Sequence, residues 1–179
     1  MSTVSGARES GIDDPMDLSV HSLRDLILVA LKSEIAARDF YAGVSNRVKN
    51  ALLKDRLRFL SSEEEKHRAF FEQLFSGRFS KEEMVLPEGN PIGLPELRVT
   101  DERMPISEVM SAGMDAEKAA HDFYTQLAQR FEGDPEVKNA LSYIASMEMG
   151  HYRLLEVEWE NARRLEDVDF EWPMMHIGP

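Results

Sequence analysis

Two copies of Glu-x-x-His, Glu64/His67 and Glu148/His151, lie 84 residues apart, and each follows a lone glutamate, Glu34 or Glu117. Those glutamates open nearly the same word: Glu34-Ile-Ala-Ala-Arg-Asp-Phe-Tyr41 and Glu117-Lys-Ala-Ala-His-Asp-Phe-Tyr124. Residues three apart on a helix share a face, so each Glu-x-x-His aims a carboxylate and an imidazole at one point. Four carboxylates and two imidazoles on duplicated pairs of helices are what two carboxylate-bridged metal ions need inside a bundle of four helices.

The apolar pattern supplies the helices. Leu23, Ile27, Ala30, Glu34, Ala37, Tyr41 and Val44 alternate at spacings of four and three, predicting a first helix over about Ser22 to Asn46. Leu53, Leu57, Leu60, Glu64, His67, Phe71 and Leu74 predict a second, about Asn50 to Phe75, with Ser76-Gly77 as its end. Ile106, Met110, Gly113, Glu117, Ala120, Tyr124 and Leu127 mark a third, to about Phe131. Gly133-Asp134-Pro135 then reads as a stop, an N-cap and a first-turn proline. The fourth helix follows to about Leu165, with Val137, Leu141, Ile144, Glu148, His151, Leu155, Glu158 and Ala162 in register.

Between the second and third helices, Pro87, Pro91, Pro95 and Pro105 with Gly89 and Gly93 break any long helix. A connection over 77–105 is too long for adjacent antiparallel helices and implies a crossover along the bundle. Aligning the halves pairs Glu34, Asp39, Phe40 and Tyr41 with Glu117, Asp122, Phe123 and Tyr124. After one inserted residue, Lys54, Leu57, Ser62, Glu64 and His67 pair with Lys138, Leu141, Ser146, Glu148 and His151. The expectation is an all-α, internally duplicated antiparallel four-helix bundle with two hairpins related by a pseudo-two-fold axis. Residues 1–21 form a flexible arm in this reading, 22–165 the bundle and 166–179 a tail.

Composition narrows the function classes. At 179 residues the chain suits one domain. Its formal charge of -12 repels nucleic acid and anionic membranes. Without cysteine there is no disulfide, thiolate zinc site or iron-sulfur centre, so any metal must be held by oxygen and imidazole nitrogen. No apolar segment suits a signal peptide or a bilayer span, and a soluble cytoplasmic protein is expected.

Four ionised carboxylates in an apolar core repel one another and cost several kcal/mol each in desolvation unless compensated. Two divalent cations neutralise them. A sulfur-free oxygen and nitrogen set favours iron first, with manganese possible and zinc or cobalt as substitutes. By pseudo-symmetry Glu64 and Glu148 would bridge, Glu34 and His67 complete one metal, and Glu117 and His151 complete the other.

These six positions resemble the rubrerythrin branch of the ferritin-like superfamily, over about Ser22 to Leu165. The resemblance implies a ferritin-like bundle and a di-iron centre that reacts with hydrogen peroxide or dioxygen. Two features depart from the family pattern. Rubrerythrins proper carry a rubredoxin domain with four cysteines, whereas this sequence has no cysteine; electrons would come from a separate donor protein. They also carry a second glutamate three residues after the helix-three ligand, whereas Ala120 stands there, with Ala37 as its repeat partner.

Tyr41 and Tyr124 lie two turns beyond their glutamates, where a phenol can hydrogen-bond a ligand carboxylate or fill the core as an ordinary tyrosine. Asp39 and Asp122 would orient the second nitrogen of a ligand histidine or pair with an arginine between helices. His121, whose counterpart is Arg38, belongs at a rim. Glu158 and Trp159 compete for one inward place, and Met147 and Met149 flank Glu148 as cavity wall or core filling. The apolar tail Asp167 to Pro179 would strap across the bundle or a dimer partner, or dock into another protein. A homodimer or small oligomer is expected. The alternative functions are a ferroxidase or iron-storage role in a large hollow assembly, and peroxide disproportionation at manganese.

Overall fold

The computed structural model describes residues 17–98 and 104–171, with side chains as far as Glu166. Four helices carry the chain: α1 Leu23–Arg47, α2 Ala51–Arg78, α3 Ile106–Gln129 and α4 Pro135–Glu171, after a 3-10 turn at Leu18–Val20. No strand occurs among the described residues, and none of their helices is long and apolar enough to cross a membrane.

Local signals set the starts. The Ser22 hydroxyl accepts from Asp25 N at 3.1 Å and donates to the Asp25 carboxylate, a reciprocal cap on α1. Asn50 Oδ1 accepts from Leu53 N at 3.1 Å, and Asp134 Oδ1 accepts from Val137 N at 3.2 Å with Pro135 in the first turn. Pro105 offers α3 no side-chain cap; Ser107 N donates instead to Glu166 Oε1 at 3.2 Å. Glu166 thus lies on α4, which continues beyond Leu165 to Glu171.

Three boundaries move. Helix α2 passes through Ser76-Gly77 to Arg78, because Gly77 keeps helical backbone and Phe79 N closes the last turn on Phe75 O at 2.8 Å. Helix α3 stops at Gln129, and Arg130 and Phe131 turn back on Leu127 and Ala128. The proposed tail is helical as far as Glu171, and its remaining part, like residues 1–16 of the proposed arm, lies outside the described residues; over 17–21 the arm is docked, with Leu18 buried in the core and its carbonyl accepting from Arg130.

Buried residues form two apolar clusters. One collects Leu26 and Leu31 from early α1, Phe71 and Phe75 from late α2, Phe123 and Leu127 from late α3, and Leu141 and Ile144 from early α4. The other takes Tyr41 and Val44, Leu57 and Leu60, Met110, and Leu155 from the opposite helix ends. Helices α1 and α4 therefore run one way and α2 and α3 the other. Since α2 and α3 are parallel, the chain must travel back along the bundle between them. Burying each large apolar side chain contributes about 1.5–3 kcal/mol, so the two clusters hold the layer between them rigidly.

The crossover is tied down as it passes α1. Lys32 Nζ donates to the carbonyls of Pro87, Glu88 and Gly89 at 2.8, 3.2 and 3.1 Å. Arg24 reaches the Glu82 carboxylate at 2.6 Å, while Ile92 and Leu94 sink into the first cluster. Gly93 turns the chain between them at φ 72°, a backbone region that favours glycine.

Candidate metal centre

All six candidate ligands meet in the layer between the apolar clusters. Glu34, Glu64, Glu117 and Glu148 are 2, 1, 3 and 1 % exposed, and His67 and His151 are 4 % each. Every helix contributes from its middle, where the stripe that buries leucine above and below carries the ionisable residue to the same depth.

The geometry has two-fold character. His67 Nδ1 lies 3.1 Å from Glu64 Oε2, 3.0 Å from Glu148 Oε1 and 3.7 Å from Glu34 Oε2. His151 Nδ1 lies 3.1 Å from Glu148 Oε2, 2.9 Å from Glu64 Oε1 and 3.6 Å from Glu117 Oε2. The imidazoles stack with centroids 5.7 Å apart. Two groups of side chains, Glu34/Glu64/His67/Glu148 and Glu64/Glu117/Glu148/His151, each offer ligand atoms within 4.8 Å of one another and can hold a metal ion. Glu64 and Glu148 belong to both.

The donor atoms fit cations better than they fit one another. Glu64 Oε1 and Glu148 Oε1 are buried without a hydrogen bond, although each stands within ion-pair distance of a histidine nitrogen. Lone pairs that converge on shared points, out of line for hydrogen bonding, suit a pair of metal ions. Without metal, the cluster must share protons. Burial, reinforced by Glu148 and Glu64, holds the Glu34 carboxyl well above the usual range, and burial with Glu64 does the same to Glu117. Against that desolvation, the adjacent His151 and His67 imidazoles pull Glu64 down to about 2. Burial disfavours the imidazolium of His151, yet bonds to Glu117, Glu148 and Glu64 push it up to about 12; His67 moves the same way.

The tyrosines cross between repeats. Tyr41 on α1 donates its hydroxyl to Glu117 on α3, and Tyr124 on α3 donates to Glu34 on α1. Both are fully buried, and desolvation with the adjacent carboxylates raises the phenols far above their ordinary pKa, so the proton stays on the tyrosine. Gly113 belongs to this arrangement, although the sequence marks it only as a stripe position. A Cβ there would come within 3.2 Å of the Tyr41 hydroxyl and 3.1 Å of Leu155 Cδ1. A glycine inside an otherwise strong helix pattern is the one signal that could have singled it out.

Other candidates fall outside the cluster. Asp39 is exposed beside Arg38 of its own helix, and Asp122 pairs with Lys118, so neither orients a ligand histidine or bridges helices to an arginine. Five residues on a helix turn the side chain some 140° from the glutamate, which explains their outward position. Their repetition reflects the duplication. Half-buried His121 takes the rim place, its Nδ1 2.7 Å from Ala145 O. Glu158 turns inward and pairs with Arg56 rather than joining the ligands, while Trp159 packs at the edge of the second cluster.

Two hollows flank the layer. One, of about 150 Å3, lies between α1, α3 and the crossover, and all four carboxylates line it. The other, about 300 Å3, lies between α2 and α4 and borders His67, Phe70, Tyr143 and Met147.

The family profile described as Rubrerythrin matches residues 25–158. This chain belongs to the rubrerythrin family. A solved structure described as a hypothetical protein from Pyrococcus furiosus has the same fold, with 32% identity over 84% of this chain and 96% of that one and a TM-score of 0.76. Comparison with curated proteins finds no match. Rubrerythrin membership accounts for the paired metal-binding groups, and the family implies a di-iron protein. The 179 residues nevertheless hold no cysteine for a rubredoxin-type iron.

Proposed function

We propose that this rubrerythrin-family protein is a di-iron oxidoreductase that reduces hydrogen peroxide or dioxygen with electrons from a separate donor protein. The observation that carries the reading is the sharing of Glu64 and Glu148 between two four-residue groups. In it, Glu64 and Glu148 would help hold both irons, with Glu34 and His67 holding one and Glu117 and His151 the other. Bound iron would supply the electrons and the polarisation needed for oxygen chemistry.

The protein's own residues do the rest. The four glutamates balance two divalent charges, so the loaded core is formally neutral. Tyr41 and Tyr124 hold the terminal carboxylates of the opposite repeat and keep them from turning away. The apolar clusters on both sides keep all six donors at 4 % exposure or less. With peroxide, two electrons and two protons convert one molecule of hydrogen peroxide to two of water. A separate donor would restore both electrons to the centre, since a cysteine-free chain offers no thiolate-held iron to do so.

Metal analysis of natively purified protein should find two irons per chain. Anaerobic reduction followed by peroxide should bleach or build visible absorption within the mixing time. An iron-loaded protein inert to both oxidants would sink the proposal. Manganese accepts the same donor set; peroxide loss with oxygen release and no donor would favour disproportionation. A homodimer in the cytoplasm is the expected setting, and a large hollow particle on sizing would favour storage instead.

A further inference from the structure

The hollow between α1, α3 and the crossover has small side chains in its wall. Ala37 and Ala120, equivalent in the two repeats, both line it. Beside them is space lined by Leu94 and Leu97 of the crossover and by Val29, with Lys32, Glu96 and Arg98 also in its lining. Glu34, Glu64, Glu117 and Glu148 form its floor. Part of this cavity's lining is therefore apolar, and part lies against the atoms that can hold metal.

A cavity of about 150 Å3, with apolar side chains making up much of its lining, takes a guest of roughly six carbons, the size of benzene. Hydrogen peroxide leaves most of that volume unused. A small molecule that is apolar at one end and carries its reactive oxygens at the other fills it. We propose that the cavity is the binding site for the alkyl group of an organic hydroperoxide of up to about six carbons, with Ala37 and Ala120 setting the size limit. This rests on the peroxide-reductase reading above. The reaction balances as ROOH plus two electrons from the donor protein plus two protons, giving ROH and water. The O–O bond breaks, and the alkyl carbon keeps its oxygen.

Half-buried Lys32 anchors the residue 87–89 carbonyls beside the same cavity, so the roof is attached to α1 rather than hanging free. That attachment fixes the distance between Leu94 or Leu97 and the alanines, and with it the shape offered to the guest.

The test has two arms on the full chain. In the first, zinc-loaded protein with 13C-methyl alanine is titrated with tert-butanol, the product alcohol of tert-butyl hydroperoxide. Ala37 and Ala120 methyl signals should shift and saturate, and they should fail to do so in Ala120→Leu. In the second, iron-loaded protein with a chemical reductant is given tert-butyl hydroperoxide or hydrogen peroxide. Both should be reduced. Ala120→Leu should raise the KM for the organic peroxide relative to that for hydrogen peroxide by roughly tenfold, the scale set by excluding one or two methyl groups.

Should Ala120→Leu misfold, Leu97→Trp fills the cavity from the crossover side, and the same ratio should rise. Hydrogen peroxide reduction without tert-butyl hydroperoxide reduction would overturn this inference and spare the reading beneath it. Failure with both peroxides would overturn that reading, and with it the substrate named here. Alanine shifts that never saturate would overturn the alkyl site whatever the turnover.

Discussion

The Tyr41 hydroxyl on α1 donates to the Glu117 carboxylate on α3, and its repeat equivalent returns the bond from Tyr124 to Glu34. Each half of the duplicated chain thus positions a carboxylate of the other half. Removing one hydroxyl should leave a buried acceptor without its donor, at a cost of about 1–3 kcal/mol. Tyr41→Phe and Tyr124→Phe should each lower the denaturant midpoint of the metal-free protein by similar amounts. Unequal losses, with one near zero, would show that only one of the crossed bonds matters.

Sharing of carboxylates predicts unequal metal losses. Glu148→Ala removes an oxygen donor from both groups and should reduce bound metal from about two ions per chain to near none. Glu34→Ala touches one group and should leave about one. Elemental analysis of the purified variants reads this directly. Equal stoichiometry in the two variants would argue against Glu148 as a shared ligand.

Protons and metal compete for the same atoms. His151 is held up to about 12 and Glu34 and Glu117 well above the usual carboxyl range without metal, so loading must displace protons. Metal affinity should therefore rise with pH, and a weakly buffered solution should acidify when ferrous iron is added. For the metal-free protein the sign is opposite. A histidine with a folded pKa above its unfolded value stabilises fully below about 6.5 and loses that contribution as pH rises toward the folded value. Metal-free protein should melt lower at pH 9 than at pH 6, while metal-loaded protein should not.

Lys32 fastens the crossover through three carbonyls. Lys32→Met keeps much of the stem and removes the donor. Global stability should fall by only about 1 kcal/mol, because the ammonium group is partly solvated. Amide hydrogen exchange over residues 87–94 should accelerate far more than exchange in the helices. Unchanged local exchange would show that Ile92 and Leu94 alone hold the segment.

How much was legible in the sequence follows from the kind of geometry each feature needs. Glu34, Glu64, His67, Glu117, Glu148 and His151 stand on apolar stripes, and a stripe is visible because a helix turns about 100° per residue. The same arithmetic, applied to Asp39 and Asp122, would have placed them outside; their identical repetition drew attention that their angle did not support. Ser76-Gly77 misled differently, since a glycine facing open space ends no helix when the next turn still closes on Phe75. The cavity over the carboxylates was out of reach, because Leu94 and Leu97 approach Ala37 and Ala120 only when the crossover folds along α1.

Sequence alone determined the duplication, the four helices and the burial of the six candidate ligands, because covalent geometry fixes spacing within one helix. Tertiary structure decided which tyrosine serves which glutamate, that Gly113 leaves room for one of them, and that the crossover lines the space beside Ala120. Those are relations between helices, set by direction and packing distance, and no spacing along the chain encodes them.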